Sequence, residues 1–177
     1  YNGLNALLKG LRTTFTGYES LHNTAEVTGI ISVSQQKKLQ ETSAEDTAGE
    51  LYLILDRSPF YAEGGGQVGD RGTITSAVGT ARVINALPGP GEQILHLIEM
   101  KKGVIRSGDE VVAQVDEKCR QNVARNHTAT HLLHRALKDA LGEHVNQAGS
   151  LVDPERLRFD FTHFTHLEEN EVRQVEA

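Results

Sequence analysis

From residue 117 to residue 141 the chain contains neither glycine nor proline, while both punctuate it on either side. An unbroken stretch of that length has room for about seven helical turns, and Gly142 directly after it is a natural stop. Val123, Leu133, Leu137 and Leu141 supply an apolar face, although not a clean one. The segments before it read differently. AEVTGIISVS (25–34), ELYLILD (50–56), GTITSA (72–77), TARVINAL (80–87), EQILHLIE (92–99) and DEVVAQVD (109–116) are short and rich in β-branched residues. SPFYAEGGGQVGDRG and LPGPGE part them. Short strands at such spacing suggest a small barrel or sandwich. After the long helix, HVNQAGSLVD and RLRFDFTHF flank a turn at Pro154 and read as a β-hairpin. Thr165, with Glu168 three residues later, predicts a capping box opening a last helix. The chain is therefore of the α+β class.

The 177 residues suffice for one or two domains with a sizeable core. One cysteine excludes an intramolecular disulfide framework and suits a reducing compartment, so a cytoplasmic location is expected. No apolar run approaches the ~20 residues of a membrane span, and the opening YNGLNALLKGLRTTF lacks the apolar core of a secretion signal. No membrane partner is expected. A net charge of −6 argues against generic electrostatic attraction to nucleic acid but leaves room for a local basic face. Residues 1–14, with ALLKGL, read as a linker or helix remnant, and the first residue is not Met. Together with the charged helical end at Ala177, this has the look of a piece of a longer chain. Oligomeric state is left open.

The long helix carries NHTATHLLH (126–134). His127 and His131 are four apart, which puts them on one face with Cβ atoms about 5–6 Å apart. Two such imidazoles can share a divalent metal, most often zinc. The spacing alone fits equally a pair of unrelated histidines. In the metalloprotease version of this pattern a glutamate follows the first histidine as general base; here Thr128 stands there, which argues against a protease. Thr128 and Thr130 read as ordinary helix residues. His134 shares the face as a possible third ligand, or more simply as a helix-surface or core residue. Cys119 lies eight residues before His127, roughly 12 Å along a helix, too far to join the pair. It reads as a half-buried helix residue.

A second constellation is FYAEGGGQVGDRG (60–72), with five glycines between Gly64 and Gly72. Gly64, Gly65 and Gly66 permit left-handed backbone and close approach of a ligand or another segment. Gln67 offers both a donor and an acceptor. The Lys-Ser/Thr that completes a phosphate-binding P-loop is absent, and a plain structural turn explains the glycines as well.

FTGYESL (15–21), SPFYAEGGGQVGDRG (58–72), RNHTATHLLHRAL (125–137) and VNQAGSLVDPERLRFDFTHF (145–164) together resemble the editing region of the alanyl-tRNA synthetases, in that family's order. The resemblance covers nearly the whole chain from Phe15. Freestanding editing relatives share the glycine loop and the histidine pair; the editing domain of threonyl-tRNA synthetases shares mainly the pair. The resemblance implies a small β-barrel over 15–116, followed over 117–177 by the N-terminal part of a truncated α/β editing core with a long His-bearing helix. It also implies hydrolysis of serine or glycine wrongly esterified to alanine tRNA. Zinc would be held by His127 and His131 with a Cys and a His of a CxxxH motif, which this sequence does not contain. With half of the ligand set, zinc is expected to bind weakly.

The same resemblance places Gln67 and Gln147 in the catalytic pocket, with Gly64, Gly65 and Gly66 beside the substrate. Arg125, Arg135, Lys138, Arg156 and Arg158 form a cluster suited to tRNA phosphates, although each alone reads as a solvated surface charge. In the parent synthetase, ATP-dependent ligation of alanine would belong to a separate aminoacylation domain, and other parent domains would be partners. Two alternatives stay open: a freestanding trans-editing hydrolase, and a tRNA-binding module without activity.

Overall fold

The computed structural model describes residues 2–46 and 49–177. In chain order the elements are α1 (Asn2–Leu8), β1 (Thr14–Phe15), β2 (His22–Ser32), β3 (Lys37–Lys38), β4 (Glu41–Ser43), β5 (Leu51–Leu55), β6 (Arg57–Ser58), β7 (Gly72–Thr75), β8 (Gly79–Pro88), β9 (Ile94–Arg106), β10 (Glu110–Val115), α2 (Glu117–Leu141), β11 (Gln147–Val152), β12 (Leu157–Phe161) and α3 (Glu169–Glu176). They form two compact units. One comprises Tyr1–Gly64 with Gly69–Glu117, the other Gly65–Val68 with Lys118–Ala177. The fold is α+β.

In the first unit, six strands in the order β2–β5–β9–β8–β7–β10 pair antiparallel, and β10 returns to β2 (Val111 opposite Ala25) to close a barrel. Closure leaves these strands without an open edge in the ring. Alternation decides what points inward. On β10, Val111, Ala113 and Val115 are buried while Glu110, Val112 and Gln114 face out. The interior gathers Val27, Ile30, Leu53, Leu55, Phe60, Ile74, Val83, Ile98 and Ile105. Each such side chain removed from water contributes about 1.5–3 kcal/mol.

Strand β5 does not alternate: all of LYLIL is buried. Its second face is covered because Tyr52 and Ile54 pack with Leu8, Ile31 and Leu95, with Leu4, Leu7 and Leu11 against them. Helix α1 and Leu11 thus cover one outer face of the barrel. The Gln93 side-chain amide holds the end of α1, donating to the carbonyls of Leu8 (3.2 Å) and Leu11 (2.9 Å). Strand β9 outruns the apolar stretch that announces it, continuing through Lys101 and Lys102 to Arg106, because β8 pairs with it as far as Gly103 and β4 from Val104 onward.

The second unit is built on α2, whose buried residues Val123, Thr130 and Leu137 recur every seventh position in a narrow seam. Gly142, with φ 114°, ends it, and its N–H reaches the Lys138 carbonyl. β11 and β12 pair antiparallel, Ser150 opposite Phe159. The Asp153 carboxylate closes their turn by accepting the N–H groups of Glu155 and Arg156. The capping box expected at Thr165 forms three residues later. Glu168 is extended and its N–H donates to the Glu171 carboxylate at 2.8 Å, so α3 opens at Glu169. Among the described residues no helix is long and apolar enough to cross a membrane.

Residues 65–68 lie inside the stretch that reads as barrel in the sequence, yet they belong to the second unit. Backbone hydrogen bonds are the reason. The Val152 N–H donates to the Gly66 carbonyl (2.8 Å), the Val68 N–H donates to the Val152 carbonyl (3.0 Å), and Gln67 bridges Val152 in parallel sense.

Candidate functional site

Helical geometry brings His127 and His131 together on the exposed face of α2. Their Nε2 atoms are 3.0 Å apart and the rings are tilted by 38°. One tetrahedral zinc bonded to two nitrogens at about 2.0–2.1 Å would hold them about 3.3 Å apart. The observed spacing is that of an imidazole–imidazole hydrogen bond and lies within a few tenths of an ångström of the zinc value, so the two nitrogens fit two positions of a metal shell. Among the described residues no third His, Cys, Asp or Glu joins it in a group of three. The other ring nitrogen of His127, Nδ1, lies 2.9 Å from the Gln67 side-chain carbonyl.

Beside the pair lies a small cavity of about 70 Å³, lined by Gly65, His127, Thr130, His131, His134, Gln147, Ser150, Val152 and Phe159. α2 supplies one wall and the β11–β12 hairpin the other. The Asn126 side chain ties them, donating from Nδ2 to the Asp153 carbonyl at 2.8 Å. His134 donates through Nε2 to the Val145 carbonyl (3.3 Å) and its ring lies 5.0 Å from that of Phe159. It stands in the wall, held by the backbone. The two threonines bond back along the helix: Thr128 to the Ala124 carbonyl (3.1 Å) and Thr130 to the Asn126 carbonyl (2.8 Å). Thr130 is also buried against the cavity.

The residues expected around the pocket separate. Gly65 and Gln147 line the cavity. Gly64 belongs to the other unit. Gly66 serves a packing need: it is left-handed at φ 83°, and a Cβ there would sit 2.6 Å from the Ser150 carbonyl oxygen. The close approach its missing side chain allows is to β11. Gln67 is not in the cavity lining; its carbonyl turns to His127. Sequence reasoning did not pick out Ser150, Val152 and Phe159, because nothing in the primary pattern tells which hairpin face meets the helix.

The five cations do not form an unpaired cluster. Arg135 pairs with Asp139 (3.0 Å), Lys138 with Glu143 (3.5 Å), Arg156 with Asp153 (3.4 Å) and Arg158 with Asp160 (3.1 Å), while Arg125 donates to the Asn122 side chain. Arg135, Arg156 and Arg158 remain largely exposed in these pairs.

Comparison with known proteins agrees with this arrangement of segments. Residues 3–119 match the family of class II (A) tRNA synthetases. The chain is 48% identical over 93% of its length to an alanine–tRNA ligase of Listeria monocytogenes serotype 4b (strain F2365). Over 99% of its length it is 46% identical to that of Alkaliphilus oremlandii (strain OhILAs) and 47% identical to that of Thermotoga petrophila (strain ATCC BAA-488 / DSM 13995 / JCM 10881 / RKU-1). The chain belongs to the alanyl-tRNA synthetase family. It spans 18–20% of the length of these relatives. The match to the class II family ends at residue 119, before the histidine pair, whereas the ligases continue through it.

Proposed function

We propose that this part of an alanyl-tRNA synthetase contributes to hydrolysis of seryl- or glycyl-tRNA(Ala), the mischarged products of the synthetase's own reaction. The observation that carries the reading is the His127–His131 pair, with facing Nε2 atoms 3.0 Å apart, opening beside a cavity that Gln147 lines. A zinc ion held by these two imidazoles and by ligands from elsewhere in the full-length protein would supply Lewis acidity toward water or the ester carbonyl. Gln147 presents an amide that can donate to an ester carbonyl or accept from a serine hydroxyl. Gly65, with φ 59° and open space where a Cβ would project, leaves room for the terminal adenosine or the aminoacyl group.

The need for a second site follows from the size of the substrates. A pocket shaped for alanine excludes glycine by only about 1–3 kcal/mol and rejects an added hydroxyl weakly, and a separate site that recognises the error restores fidelity. Contact with alanine tRNA would run through Arg125, Arg135, Lys138, Arg156 and Arg158, each exchanging its local partner for phosphate. ATP-dependent ligation of alanine belongs to other domains of the full-length synthetase, in the cytoplasm.

The test is deacylation of serine-charged alanine tRNA by the chain alone and by a full-length synthetase that carries it. Gln147→Ala in the full-length protein is expected to slow deacylation by about tenfold or more, the loss of one transition-state hydrogen bond, with unfolding unchanged. An unaltered deacylation rate removes Gln147 from the site. Deacylation by neither protein leaves a tRNA-binding module, and full activity of the chain alone favours a freestanding hydrolase.

A further inference from the structure

We infer that Gln67 is a positioning residue for His127: its side-chain carbonyl holds the imidazole in the Nδ1–H tautomer and thereby keeps the Nε2 lone pair on the side facing His131. The inference deepens the proposed function and rests on its reading of the pair as two nitrogen donors.

A neutral imidazole carries one N–H, and the partner of one nitrogen decides the state of the other. His127 Nδ1 lies 2.9 Å from Gln67 Oε1. A carbonyl oxygen only accepts, so the proton is on Nδ1. Nε2 is then unprotonated and accepts from the Nε2–H of His131, 3.0 Å away. Were the amide turned over, its NH₂ would donate to Nδ1. The ring proton would move to Nε2 and face the His131 N–H, so that no lone pair in the pair is left for a cation.

The backbone around Gln67 is fixed on both sides. The carbonyl before it and the N–H after it bond to Val152 on β11, at 2.8 and 3.0 Å. Gly66 can sit against Ser150 only because it lacks a side chain. The glycines thus have a function one residue removed from themselves: they let an extended segment lie close enough to β11 to aim the next side chain at the helix. A neutral amide suits the task. It orients the ring through an acceptor oxygen, as the outer partner of a ligating histidine does.

The experiment reads the tautomer directly. The 177-residue chain, labelled with nitrogen-15 and stripped of metal, is studied by two-bond nitrogen–proton correlation NMR at about pH 8, where imidazoles of ordinary pKa are neutral. His127 is expected as Nδ1–H in the wild type. Gln67→Glu, which retains an acceptor, keeps that tautomer. Gln67→Ala shifts His127 toward a mixture with Nε2–H, while the amide signals of β11 and β12 stay in place. Zinc chloride titrated into the same samples should bind about 10–100-fold more weakly to Gln67→Ala. A wild-type His127 in the Nε2–H form, or an alanine variant with an unchanged tautomer, overturns the role of Gln67. Zinc that perturbs neither ring of the wild type overturns the two-donor reading of the pair instead, so the two failures are distinct.

Discussion

His96 and His127 are built alike and used differently. Each has Nδ1 against a carbonyl, of Leu53 at 2.8 Å and of Gln67 at 2.9 Å. His96 is sealed in the barrel, where Nε2 accepts from the Ser58 hydroxyl at 2.7 Å and Ser58 in turn accepts from the Phe60 N–H. Every polar atom is satisfied and none is offered outward. His127 stands exposed on α2, and its second nitrogen meets only another imidazole. The contrast holds for the two units at large. The barrel encloses a large shared core, whereas the helical unit buries Val123, Thr130, Leu137, Val145 and Val152 and sets its polar groups around a cavity. The large apolar core lies in one unit, and the histidine pair with its neighbouring cavity lies in the other.

Truncation inside each unit should expose that division most strongly. Phe60→Ala is expected to cost about 3–5 kcal/mol, because the emptied volume lies in a closed ring that cannot collapse. Leu137→Ala belongs at the low end of the roughly 2–5 kcal/mol range for such changes, since the helical unit buries far fewer apolar residues around it than the barrel does. Urea unfolding of both variants measures this; equal losses would contradict the unequal sharing of stability.

Acid should act next, and on the barrel. Burial depresses the His96 pKa to about 4, partly offset by the hydrogen bond to Leu53. The unfolded chain therefore binds the proton more readily, and stability falls as pH drops from about 6.5 toward 4, by about 3 kcal/mol in total. Above pH 6.5 the contribution is fully present. His96→Gln should flatten that slope in denaturant titrations taken across the interval; an unchanged slope assigns the acid sensitivity to other groups.

Gly66→Ala is expected to have the smallest effect on stability, about 1–3 kcal/mol for a left-handed residue placed 2.6 Å from a carbonyl oxygen, felt in the helical unit. Hydrogen exchange at Val68 and Val152 should accelerate while the barrel strands stay protected. Loss of barrel protection would mean that the two units do not respond separately.

The elements were largely legible. The unbroken run 117–141, the stop at Gly142 and the alternation of β10 express local geometry that any neighbours would respect. What was not legible depends on partners distant in sequence. The strand identity of Val104 to Arg106 requires β4, the burial of both faces of β5 requires α1, and the late start of α3 turns on one carboxylate, that of Glu171. At the site, spacing sufficed for His127 and His131. The contact of Gln67 with His127 was not legible, because the two lie 60 residues apart in sequence and an amide beside glycines does not announce its partner.

The four residues 65–68 have a practical bearing on dissection. A cut at residue 117, where the change from strands to helix invites one, would separate Gln67 from the histidine it touches and leave the C-terminal piece short of an edge partner for Val152. A peptide covering the glycine turn, added in trans, would then be the missing fragment, and complementation between the two pieces would measure how far the setting of His127 is assembled by chain connectivity alone.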